Sequence, residues 1–173
     1  MKKVIIAGVG VALLLGGGIY GMKTVSAAGN QSNVAATAPS TTASEHGNKS
    51  VNLSQYKDQI HQLNKLREDH LDLQKQLVEK QDQLLDLTQA AKTSGNKDKM
   101  KQAKPVRQQL TKLNREMKPL VKESNTERKA LKVALKNGSA SDQYNKLIAT
   151  NQQINDKMKM ISAELDQLIS ILK

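Results

Sequence analysis

Cysteine, tryptophan and phenylalanine are absent from this 173-residue chain, and Tyr20, Tyr56 and Tyr144 are its only aromatic residues. Without cysteine there is no disulfide framework, no thiolate metal site, no cysteine nucleophile and no lipid-attachment cysteine. So few aromatics leave nothing to stack against the bases of a single strand. The aromatic and β-branched packing of an all-β fold is equally scarce. Proline occurs only at positions 39, 105 and 119. What remains for a core is Leu, Ile, Val, Ala and Met, which suit helix-on-helix packing. The length fits one domain with a tail.

Lys2 and Lys3 precede an apolar run from Val4 to Met22, and Lys23-Thr24-Val25-Ser26-Ala27-Ala28 follows. A basic start, an apolar stretch and small residues at a cleavage site are the signature of a secretory signal peptide. Val25-Ser26-Ala27 places the cut after Ala27, and Ser26-Ala27-Ala28 allows it after Ala28. The run of 19 residues is also long enough to span a bilayer, so an uncleaved N-terminal anchor is the alternative. Its six glycines weaken a permanent helix, and the small-residue site favours cleavage. The short Met-Lys-Lys start points to bacterial export, whether secreted, wall-associated or periplasmic. Residues 28–50 are rich in Ala, Ser, Thr, Asn and Gly and lack apolar periodicity. They read as a flexible spacer. The expected organisation is therefore a signal peptide over 1–27, a spacer over 28–50 and a helical domain over 51–173.

From Leu53 onward apolar residues recur in steps of three and four. Three series carry the pattern: Leu63 to Ala91, Val106 to Ala134 and Tyr144 to Leu172. Together 22 of 27 seam positions are apolar, far above the 38% hydrophobic content of the chain. The breaks between them are turn chemistry. Gly95 follows Lys92 and precedes Asn96, and Gly138 follows Lys136 and precedes Ser139 and Ser141. A cation in the last turn, Gly beyond the end and a capping residue next are stop and start signals. Loops this short force antiparallel neighbours. The expected fold is all-α: an elongated antiparallel three-helix bundle, or folded-back coiled coil, with helices near 52–92, 97–136 and 142–172. Leu71, Val78 and Leu85 are expected to widen the apolar face of the first helix so that it meets two partners. Tyr56 and Tyr144 should pack at one end. Pro119 should kink or split the second helix, and a start at Pro105 is an alternative beginning for it.

The net charge of +11 is unevenly spread. Residues 93–136 hold thirteen basic and four acidic side chains, whereas 51–92 and 137–173 are nearly balanced. Lys97, Lys101, Lys104, Arg115, Lys118, Lys122, Lys129, Lys132 and Lys136 share one helical phase, about 200° from the apolar seam. Solvated helix faces ordinarily mix signs. A nearly single-signed ridge points to an anionic partner. For an exported chain the candidates are lipid headgroups, envelope phosphate polymers and acidic protein segments. The export signal and the lack of recognition motifs argue against nucleic acid.

Catalytic chemistry has little to stand on. His61 and His70 lie nine residues apart, on opposite faces of a helix, and His46 is in the spacer. His70 and Asn151 occupy seam positions and read as polar core residues that set register. No nucleophile–base spacing, phosphate loop or metal motif occurs. No enzyme activity, cofactor or metal is expected.

An exported, helical, basic chain without cysteine resembles the Spy/CpxP-type envelope chaperones, most over Lys129–Leu172, where a helix, a polar turn and a long Gln/Asn/Met-rich helix follow one another. The family's Leu-Thr-x-x-Gln signature is met in part by Leu87-Thr88-Gln89-Ala90-Ala91, with Ala91 in place of the Gln. The resemblance implies a cradle-shaped, dimeric, ATP-independent holdase. The leading expectation is a non-enzymatic interaction protein whose basic second helix binds an anionic envelope component. A chaperone and a structural coiled-coil spacer are the alternatives.

Overall fold

A computed structural model describes residues 53–173. The expected signal peptide over 1–27, the expected cleavage site at Ala27 or Ala28 and the expected spacer over 28–50 lie outside the described residues. A single 3₁₀ turn, Leu53–Tyr56, leads into three long helices: α1 (Lys57–Thr93), α2 (Lys97–Lys136) and α3 (Ser141–Leu172). There is no strand among the described residues. The helices run up, down and up, so the described residues form an all-helical antiparallel bundle.

Both turns are built alike. Gly95 adopts φ +67° and Gly138 φ +72°. Asn96 N–H donates to Ala91 O and Gly95 N–H to Lys92 O. In the second turn Ser139 N–H donates to Ala134 O and Gly138 N–H to Leu135 O. This pair of bonds around a left-handed residue satisfies the last carbonyls of each helix. Asn96 then caps α2 by accepting from Lys99 N–H. The start of α3 departs from the serine cap expected at Ser139 or Ser141. Its N-cap is Ala140, with no side-chain cap. Ala140 is fully buried, and its N–H donates to the hydroxyl of Tyr56 at 2.9 Å. The same hydroxyl donates to Gly138 O. A tyrosine from the base of α1 thus closes the second turn, and its ring lies 5.2 Å from that of Tyr144.

α2 is continuous from Lys97 to Lys136, so neither the split at Pro119 nor the start at Pro105 occurs. Both prolines are exposed. Each frees a carbonyl one turn back, at Lys101 and Arg115, on the outer side where water can bond it. A proline there costs far less than one on the packed side.

The helix that meets two partners is α3, not α1. α3 packs along both α1 and α2, which touch each other little. Leu71, Val78 and Leu85, expected to widen the packed face of α1, are 47%, 47% and 64% exposed. The wider face belongs to α3. Beside its apolar seam a second stripe, Ile148, Asn155, Ser162 and Ile169, is buried at heptad spacing. Asn155 and Ser162 bond to α1, while Asn151 bonds to α2. The second stripe is half polar, which is why hydrophobic counting passes over it.

Candidate anion-binding surface

Each of the nine cations expected on the ridge is exposed: Lys97, Lys101, Lys104, Arg115, Lys118, Lys122, Lys129, Lys132 and Lys136. They stand opposite the buried face of α2, formed by Ala103, Val106, Leu110, Leu113, Met117, Ser124 and Leu131. None of the nine forms an ion pair among the described residues. The four carboxylates of α2 avoid this face. At 100° per residue Asp98, Glu116, Glu123 and Glu127 cluster about 80–120° round the helix from Lys97. Two of them turn to α3. Glu116 accepts from Lys157 at 2.5 Å. Glu127 accepts from the Thr150 hydroxyl at 3.1 Å. The hydrogen bond from Lys157 holds the Glu116 carboxyl below its ordinary range. Burial pushes that of Glu127 up. Lys99, off the ridge, donates to Leu172 O and caps the C-terminus of α3. The cations of α2 therefore divide into one set used inside the fold and one left to solvent.

A second arrangement escaped sequence reading. Midway along the bundle a polar layer separates two apolar clusters. Asn155, only 2% exposed, donates from Nδ2 to Leu66 O at 2.9 Å. That fixes Oδ1 as the acceptor facing His70 Nδ1, 3.0 Å away. Gln74 Nε2 donates to His70 Nε2 at 3.0 Å. The imidazole is therefore held neutral, protonated on Nδ1. Burial lowers its pKa, the Asn155 bond partly opposes this, and the charge on Arg128 lowers it further. On the α2 side the Ser124 hydroxyl donates to Asn151 Oδ1 at 3.1 Å. His70 is thus a buried polar core residue, as its seam position indicates, while Asn151 is a half-buried polar residue of the seam between α2 and α3.

Next to this layer all three helices line a cavity of about 110 Å³. Arg67 from α1 and Arg128 from α2 both face it, together with Leu131 and Leu147. Burial lowers the pKa of Arg128, and the neighbouring Arg67 adds to the effect. The two arginines lie far apart in the chain, so only the fold brings them together. Asn155 had a readable signal in its heptad spacing from Ile148 and Ser162. No group of three or more His, Asp or Glu side chains among the described residues could hold a metal ion. No helix among them is long and apolar enough to cross a membrane.

No protein-family model, curated protein or solved structure matches the chain.

Proposed function

We propose that this chain is an exported, non-enzymatic helical protein whose α2 ridge binds an anionic component of the cell envelope. The observation that carries this reading is the segregation of charge on α2: nine exposed cations outside any ion pair among the described residues, with all four carboxylates gathered on a flank. Holding so many like charges on one face opposes itself unless an opposite charge arrives. The helix gives the ridge a length of about 60 Å, suited to a polymer or a surface. Val133, 59% exposed, lies between Lys132 and Lys136 and adds an apolar contact at that end. The reading is tested by sedimentation with anionic vesicles and with phosphate-bearing wall polymer. Binding should weaken steeply with salt, because such attraction is screened within about 10 Å at 0.1 M. Charge reversal at Lys118, Lys122 and Lys129 should abolish it. Binding indifferent to both changes would refute the electrostatic reading.

A second reading, an ATP-independent chaperone resembling the Spy/CpxP type, is favoured by the exposed heptad stripe Leu71, Val78 and Leu85. Such a stripe offers apolar contact to an unfolded client. It predicts suppressed aggregation of an unrelated client, lost on replacing the three residues with Ser.

A further inference from the structure

We propose that a second copy of this chain docks on the face of the bundle turned away from α3, with the acidic side of α1 in each copy lying on the basic ridge of α2 in the other. Two strips share that face. Arg67 and Arg128 line one cavity, so the flanks of α1 and α2 that carry them face each other. The exposed stripe of Leu71, Val78 and Leu85 begins four residues after Arg67, and Lys132 of the ridge stands four residues after Arg128. In antiparallel helices equal advances turn to the same side. Both strips lie away from α3. On α1 the stripe is opposite Lys80, which pairs with Asp166. On α2 the ridge is away from Glu116 and Glu127, which bond to α3.

The signs of the two helices are complementary at the same height. Glu68, Asp69, Asp72, Glu79, Asp82 and Asp86 of α1 are all exposed, and Lys75 is the one exposed cation among them. None of these carboxylates forms an ion pair among the described residues. Contacts through α3 show which parts of α1 and α2 stand level. His70 meets Asn155 and Lys80 meets Ser162, while Ser124 meets Asn151 and Glu116 meets Lys157. Residues 68–86 are therefore level with residues 104–122, where the ridge carries Lys104, Arg115, Lys118 and Lys122. A two-fold axis parallel to the helices keeps these levels and lays α1 on the partner's α2 twice. Glu68 then faces Lys122 of the partner subunit, and Asp86 faces Lys104 of the partner subunit. The aliphatic stems of the ridge lysines cover the Leu71, Val78 and Leu85 stripe. A two-fold axis across the helices would instead set ridge against ridge, cation on cation. The favoured pairing leaves one like-charged pair, Lys75 against Arg115 of the partner subunit.

Lys129, Lys132 and Lys136 lie beyond the paired stretch, so the pairing does not rest on the ridge binding an envelope anion and leaves that end free for one. Sedimentation equilibrium on the purified chain tests it. A dimer is expected at low salt, with a dissociation constant that rises at least tenfold when about 0.5 M salt screens the charges. Glu68→Lys combined with Asp86→Lys should weaken it about tenfold or more, with the helical circular dichroism retained. Adding Lys104→Glu and Lys122→Glu to that variant should restore the dimer to within about threefold of the parent. Lys75→Glu, which removes the like-charged pair, should tighten it about threefold. The chain has no cysteine, so single cysteines can be placed cleanly. Asp86→Cys protein mixed with Lys104→Cys protein should form a disulfide between copies on oxidation, whereas Val78→Cys protein alone should not. A monomer at about 0.1 mM protein in low salt would overturn the proposal, since steered opposite charges must associate there. Association indifferent to salt, failure of the charge swap to restore it, or ready cross-linking of Val78→Cys, which marks stripe against stripe, would each overturn it as well.

Discussion

The two ends of the bundle are built on different principles. Around Leu77, Leu110, Met158, Ile161 and Leu165 the three helices share one aliphatic cluster whose central residues are almost inaccessible. Toward Tyr56 and Tyr144 the cluster is smaller, its partners Leu53, Ile60 and Leu63 are only half-buried, and a cavity opens. Between the ends lies the layer of His70, Asn155, Asn151 and Ser124. The aliphatic end holds the fold by burial, which is strong and indifferent to register. The polar layer contributes less energy but accepts only one alignment of α3 against α1 and α2. A uniform leucine seam would let long helices slide by a heptad, whereas a buried asparagine with fixed partners does not.

The sharpest way to break this comparison is to remove matched side chains from each end. Leu77→Ala should cost about 3–4 kcal/mol, because a fully enclosed site cannot collapse around the loss. Leu63→Ala, at a half-buried position beside an existing cavity, should cost about 1–2 kcal/mol. Urea unfolding followed by circular dichroism measures both. Equal losses would show that the two ends are packed alike.

The polar layer comes next. Asn155→Leu removes the acceptor for His70 and the donor to Leu66 O, stranding a buried ring N–H. The expected loss is about 2–3 kcal/mol. Joining it to His70→Leu should restore most of that loss, since replacing both partners with apolar groups leaves nothing unpaired. The double variant should also relax the register, seen as poorer dispersion in its NMR spectrum. At the tyrosine end Tyr56→Phe loses the hydroxyl that bridges Gly138 O and Ala140 N. About 1–2 kcal/mol should go, without change in helix content. At the aliphatic end Thr88 is 4% exposed, and its hydroxyl has no hydrogen-bond partner among the described residues. Thr88→Val should raise stability by about 1 kcal/mol.

How legible this was in the sequence varies by feature, for physical reasons. Helix number and both turns could be read because glycine at positive φ and an asparagine cap are local requirements. The exposure of the ridge could be read because it follows from helical phase alone. Which helix lies in the middle could not. Leu71, Val78 and Leu85 carry the right spacing for a packed stripe, yet solvent faces tolerate apolar residues. The true second stripe contains Asn155 and Ser162, whose burial depends on partners in α1. Whether Pro105 or Pro119 interrupts α2 could not be read, because a proline's cost depends on which side its freed carbonyl faces, a tertiary property. The meeting of Arg67 with Arg128 is tertiary too, with no periodic trace.

The smallest effect concerns pH and falls on the polar layer alone. In the fold His70 is neutral, with a pKa below the ordinary 6.5, chiefly because it is buried. Unfolded, it titrates at that ordinary value. Above it neither state binds the proton, and the layer contributes in full. As pH falls below 6.5 the unfolded chain takes up a proton that the folded chain refuses, so stability declines until the folded pKa is passed. Protonation would put a donor at Nε2 against the Gln74 amide and a second positive charge near Arg128. The decline should not exceed about 1.4 kcal/mol per pH unit, the value for one proton. Glu116, whose pKa is lowered by Lys157, acts mainly below 4.5, whereas Glu127, raised by burial, takes up its proton first in the fold and shifts stability the opposite way, so the histidine is separated by a variant that keeps Glu127. Unfolding midpoints from pH 7.5 to 5 isolate the effect when the His70→Leu/Asn155→Leu variant is run beside the parent chain. The parent should lose stability across that interval and the variant should not. An identical slope in both would mean that His70 titrates in the fold as it does in water, and that the Asn155 layer does not hold it neutral.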